Sequence, residues 1–176
     1  MKAEIAAFLE KIKSPDADVR YKAWREAGPM GAEAVVPLGE LAASPDKGVA
    51  KAASGAMETI AHHAARPGAG AEAHAVSVEL LKVAQTPHPR MVRADALYLL
   101  GFTGDGRIVP GLARLLSDRE LREDARMALE RIPGSASLSA LRQAARTASP
   151  DFRPNLEQSL HNRSLTPKTV GREPAR

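Results

Sequence analysis

Ser14-Pro15-Asp16-Ala17-Asp18-Val19-Arg20-Tyr21-Lys22-Ala23 is the stretch on which the fold turns, because its opening is repeated along the chain. The same punctuation stands at Ser44-Pro45-Asp46, Thr86-Pro87-His88, Ser117-Asp118-Arg119 and Ser149-Pro150-Asp151, at successive intervals of 30, 42, 31 and 32 residues. A period in this range marks stacked supersecondary units, each too small to bury its own apolar face. Architecture is therefore decided before any chemistry is considered.

Aligning the units on the first apolar residue after each mark gives Val19, Val49, Val92 and Leu121. Four residues later stand Ala23, Ala53, Ala96 and Ala125, and four beyond those Ala27, Met57, Leu100 and Leu129. Spacings of one and then two helical turns place each triplet on one helix face. The alanine at its centre lets a second helix approach closely. Asp16, Asp46 and Asp118 lie three residues before the aligned position, where a carboxylate caps free amides. Gly28 and Gly101 follow the last periodic residue and are expected to end their helices in the left-handed conformation, with Gly134 at the corresponding corner of the fourth unit. Pro37 and Pro110 then fall at equal offsets, where a second helix can start without its amide. Each unit reads as a helical hairpin.

A leading Asp, the pairs Val19-Arg20 and Val92-Arg93, the central Ala, the Gly corner and the Pro before the second helix together resemble HEAT repeats. They are most similar to the short bacterial HEAT-like type also found in phycobilin lyases. The resemblance covers residues 14–161, with Ala50 where the Arg is expected and Pro154 where the last unit should be apolar. It implies an all-α, α-α superhelical solenoid of about four to five hairpins, with the second helices lining a concave face. The units are placed near 14–43, 44–85, 86–116, 117–148 and, as a partial repeat, 149–161. Residues 1–13, with Ile5, Phe8, Leu9 and Ile12 on one side, form an N-terminal capping helix. Residues 162–176, with Pro167 and Pro174 and few apolar side chains, read as a disordered basic tail.

Composition narrows the function classes. The chain has 44% hydrophobic but 3% aromatic residues, so its core is aliphatic and alanine-rich and does not suit an aromatic-lined cavity. With no cysteine, disulfides and thiolate chemistry are excluded. The absence of an apolar run of signal-peptide or membrane-span length predicts a cytoplasmic protein with no membrane partner. The net charge of +4 is not spread over the repeats, since residues 1–161 hold 21 basic and 20 acidic side chains. The surplus belongs to the tail, which weakens any inference of nucleic-acid binding from charge alone.

Candidate sites were sought on this frame. The second unit is longer than the others: Gly70-Ala71-Glu72-Ala73 is delayed by nine residues relative to Gly31-Ala32-Glu33-Ala34. The insertion, near 61–70, carries His62, His63, Arg66, Pro67 and Gly68 and reads either as an added binding edge or as a solvated loop of neutral length. His62, His63 and His74 raise the question of a metal, but adjacent histidines diverge by about 100° on a helix and no carboxylate completes a pattern. The His-Glu pairs of the iron-binding HEAT-repeat hydroxylases are missing. Gly101-Phe102-Thr103-Gly104-Asp105-Gly106 lacks the Lys-Ser/Thr of a phosphate loop and reads as a corner. No catalytic set emerges, so neither enzyme activity nor a cofactor is expected.

Arginines remain. Arg107 and Arg114 lie on the expected second helix of the third unit, and Arg142 and Arg146 on that of the fourth, with few acidic neighbours. These four are the candidate partner-binding residues for an acidic protein segment, against an ordinary surface role. Arg119, Arg122, Arg126 and Arg131 are interleaved with Glu120, Glu123, Asp124 and Glu130 and read as a salt-bridged face. Arg20 and Arg93 recur by position and read as structural. Trp24 is expected to pack against the capping helix. The leading expectation is a noncatalytic scaffold for another protein. Two alternatives implied by repeat type are nucleic-acid binding, as in HEAT-like alkylpurine DNA glycosylases, and a lyase or chaperone role with a tetrapyrrole protein.

Overall fold

Asp16 and Asp46 do what their positions predict. Asp16 Oδ1 accepts from the amides of Asp18 (2.8 Å) and Val19 (3.4 Å), and Asp46 Oδ1 from those of Gly48 (2.7 Å) and Val49 (3.1 Å), so each starts a helix. In the computed structural model, which describes residues 2–165, ten α-helices result: α1 (Lys2–Ile12), α2 (Ala17–Arg25), α3 (Val35–Ala42), α4 (Lys47–Ala64), α5 (Gly70–Gln85), α6 (Arg90–Thr103), α7 (Val109–Arg114), α8 (Arg122–Arg131), α9 (Ser135–Thr147) and α10 (Arg153–Leu165). Short 3-10 turns precede α3 and follow α7, and no strand occurs among the described residues.

Neighbouring helices pack in two rows. In the first, α2, α4, α6, α8 and α10 meet in succession, with α1 against α2. In the second, α3 meets α5 and α7 meets α9, while Gly111 of α7 lies so close to Leu81 of α5 that a Cβ there would fall 2.6 Å from Leu81 Cδ2. The alanines predicted to sit between helices do so: Ala23, Ala53, Ala96 and Ala125 are buried, as are Ala27, Met57, Leu100 and Leu129 one turn further on. Val49, Val92 and Leu121 are buried too, but Val19 is 38% exposed. It lies on the rim of the crevice between α1 and α2, where only the short first helix stands beyond it.

Three expectations need correction. Gly28 and Gly101 do not adopt the left-handed conformation; positive φ occurs at Gly31 (64°), Gly68 (87°) and Gly134 (99°). The missing Cβ at the first two instead admits neighbours, His63 over Gly28 and the Arg131 stem over Gly101, where a Cβ would lie 3.0 Å and 2.8 Å from the nearest side-chain atoms. Leu121 precedes α8, and Asp118 caps the turn before it, its Oδ1 accepting from Glu120 N at 2.9 Å. As the spacing predicts for a helix near 46–63, the start of the second unit's insertion is helical: α4 has 18 residues against 9 in α2, with Ala61 and Ala64 buried along the extension.

The third correction concerns the C-terminus. Residues 162–165 continue α10, and Arg163 folds back to donate to the carbonyl oxygens of Leu129, Glu130, Ile132 and Gly134. A cation there neutralises the otherwise unsatisfied C-terminal end of α8. Residues 166–176 of the expected tail lie outside the described residues. Pro154, anomalous in the repeat, occupies the second position of α10, where the missing amide has no intrahelical partner to lose.

Candidate functional site

Between α7, its following 3-10 turn and α9 runs a groove of about 820 Å³. Its α9 wall is low because Ala136, Ala140 and Ala144 recur every fourth residue and leave room where longer side chains would fill it. Pro110 and Ala113 face them from α7, and Phe152 closes one end. Arg114, Arg119 and Arg122 line this groove together with Ser139, Gln143 and Thr147. No carboxylate is among the lining residues.

The three guanidinium groups differ in what they already hold. Arg122 Nη2 donates to Asp151 Oδ2 at 2.5 Å, and its guanidinium carbon sits 4.7 Å from the Phe152 ring centre. Neither Arg114 nor Arg119 has a carboxylate within 4 Å among the described residues, and both are exposed. The groove thus offers two uncommitted cations and a third held by an exposed partner, beside hydroxyl and amide donors suited to carboxylate oxygens.

Of the four arginines singled out by sequence, Arg114 alone lines the groove. Arg107 precedes α7 and is engaged by Asp105, whose Oδ2 accepts from its Nε at 2.9 Å and its Nη2 at 2.5 Å. That side-chain pairing holds the Asp105 carboxyl below its ordinary range, with burial opposing it. Arg142 and Arg146 are exposed on α9 but outside the lining. Sequence reasoning passed over Arg119 and Arg122 because acidic neighbours surround them in the chain. The signal that could have found Arg122 is its register, since it follows Leu121 as Arg20 follows Val19 and Arg93 follows Val92.

That register has a structural meaning. Arg93 donates from Nε to the Ala84 carbonyl (2.9 Å) and from Nη2 to Asp118 of the next unit (2.9 Å), and Arg122 reaches Ser149 and Asp151 in the same way. Arg20 donates to the carbonyls of Ser14 and Pro15 and stands beside Gly48, next to Asp46. The amides of Val49 and Gly48, and then Arg20, hold the Asp46 carboxyl low. Burial works against ionisation of Asp118, but the Glu120 amide and Arg93 outweigh it and lower that carboxyl as well. At Asp151, Ser149 and Arg122 lower it to about 2. Arg93 thus links its unit to the next, while Arg20 ties the start of its own unit and lies beside Asp46 of the one that follows.

The histidines go separate ways. His62 packs edge-on against Phe102, His63 lies 3.7 Å from Glu72, and His74 Nδ1 lies 3.3 Å from Asp105 Oδ2 without hydrogen-bond geometry. No group of His, Cys, Asp or Glu among the described residues converges as a metal site would require. Trp24 rests on Gly55 of α4.

No family model matches this chain, and no curated protein matches it either. Among solved structures it is similar to an engineered protein of known crystal structure, at 18% identity and a TM-score of 0.46, over 92% of this chain and 79% of that one. Among the described residues, no helix is long and apolar enough to cross a membrane.

Proposed function

We propose that this protein is a noncatalytic HEAT-type repeat scaffold, curved so that its second-row helices form the concave side, and that the groove between α7 and α9 binds an acidic segment of another protein. The observation that carries this reading is the charge asymmetry of the groove, three arginines and no carboxylate, in a chain with 21 acidic residues. An extended acidic strand suits it better than duplex nucleic acid, because residues 1–161 are almost charge-balanced and a phosphate track needs a longer basic surface.

A fluorescent Glu/Asp-rich decapeptide tests the proposal. Binding should weaken on the order of tenfold in Arg114→Glu/Arg119→Glu, since both cations face the groove. Arg142→Glu/Arg146→Glu, outside the lining, should stay within about twofold. Equal losses in the two variants, or no saturable binding at millimolar peptide, would remove the assignment. Duplex DNA of matched charge serves as the contrast, and tighter binding to it would favour the nucleic-acid reading.

A further inference from the structure

The first row of helices carries a second cavity of opposite chemistry. It has a volume of about 340 Å³ and is lined by Trp24 from α2, Lys51, Ser54, Gly55 and Glu58 from α4, and Asp95, Tyr98 and Leu99 from α6. The chain has only six aromatic residues, Phe8, Tyr21, Trp24, Tyr98, Phe102 and Phe152. Four of them gather on this face, and Tyr21 (52%), Tyr98 (46%) and Phe102 (43%) are well exposed. Rigid aromatic rings left on a surface mark contact sites more often than scattered aliphatic side chains do.

Their positions are fixed from behind. The Trp24 indole lies directly on the Gly55 backbone, where any Cβ would collide with it, and Tyr21 meets it edge-on with centroids 5.6 Å apart. A glycine inside a helix weakens that helix relative to alanine, so Gly55 offsets the cost only by admitting the ring. Opposite stands Tyr98, braced by Phe102 at 5.1 Å. The faces of these rings already attract cations: Arg131 lies 5.0 Å from the Tyr98 centroid and Arg25 5.8 Å from that of Tyr21.

Between the two walls are Glu58 and Asp95, neither with a hydrogen bond or ion pair among the described residues. Burial pushes the Asp95 carboxyl above its ordinary range, and the nearby negative charges of Glu58 and Asp124 push it further. Asp124 is already taken by Arg90 (2.7 Å). Lys51, the one basic residue among the described residues of the lining, makes no ion pair among them. The cavity therefore presents two carboxyl groups without a cation partner among the described residues, beside the Trp24 and Tyr98 rings.

We propose that this cavity receives an arginine side chain presented by a partner polypeptide. A guanidinium is planar and stacks on Trp and Tyr, while its fork of donors fits two carboxylates; a compact, strongly hydrated ammonium uses neither feature as well. The site is independent of the arginine-lined groove, which lies in the other row.

Trp24 is the sole tryptophan and reports on the cavity directly. A capped Gly-Gly-Arg-Gly-Gly peptide should change its fluorescence saturably and move its indole N–H resonance. The citrulline counterpart, isosteric but uncharged, should bind on the order of tenfold more weakly, and the lysine peptide should fall between them. Glu58→Gln/Asp95→Asn should lose about tenfold, Lys51→Ala should bind more tightly, and Arg114→Glu/Arg119→Glu should be unchanged. No response of Trp24 at millimolar arginine peptide, an equal response to citrulline, or undiminished binding by the Glu58/Asp95 double variant would each overturn the proposal.

Discussion

At the scale of single residues, the link between units is an arginine reaching forward to an aspartate, and its one interruption is instructive. Arg20, Arg93 and Arg122 face Asp46, Asp118 and Asp151, but the second unit has Ala50, and the position facing it, three residues before Val92, is Pro89. Both partners are absent together. Either one alone would place a charge at the junction without the counter-ion that the other junctions supply. The substitutions Ala50→Arg and Pro89→Asp should therefore be coupled. Each alone should be neutral or destabilising, and the double variant should exceed their sum by about 1 kcal/mol in urea unfolding. Strict additivity would show that the register carries no interaction at this junction. Arg20 and Arg93 were legible as structural from recurrence alone, whereas their acceptors lie in other units and could be identified only in three dimensions.

At the scale of elements, the small residues decide how closely the helices approach. Ala96 is fully buried in α6, which packs against α4, α5 and α8. Ala96→Arg should cost about 3 kcal/mol or more, because a long charged side chain must overpack the contact and leave its charge desolvated. Arg142→Ala on the exposed side of α9 should change stability by less than about 0.5 kcal/mol. Chemical denaturation of the two variants checks this, and comparable losses would contradict the packing of α6. Periodicity showed these buried alanines, and the helix starts, because Asp caps and 3.6-residue spacing are local. The helix running to Ala64 was legible, but the contacts that fix the rest of the 61–70 insertion were not: His63 rests on Gly28 and Arg66 pairs with Glu72 at 2.7 Å, contacts between elements. The same holds for α10, whose last turn is held by Arg163 reaching to the end of α8.

At the scale of the molecule, the two rows of helices carry different chemistry on their outward sides. The second row offers a groove lined by arginines and alanines; the first offers aromatic rings around carboxylates. Of the arginines that sequence reasoning proposed, Arg114 lies on α7, Arg142 and Arg146 on α9, and Arg107 just before α7. That reasoning chose individual arginines by their chain neighbours, so it kept Arg107, which Asp105 occupies, and set aside Arg119 and Arg122. Exposure in a groove is a property of stacking, and linear spacing does not report it.

Amide chemical-shift mapping during titration with the acidic decapeptide tests the account most directly. It predicts that the perturbed residues cluster on Val109, Ala113 and Arg114 of α7, the turn holding Arg119, and the Ala136, Ala140 and Ala144 side of α9, with α2, α4 and α6 silent. A map centred on the first row, or spread without focus over the surface, would contradict the assignment of the groove as the place where an acidic partner is held.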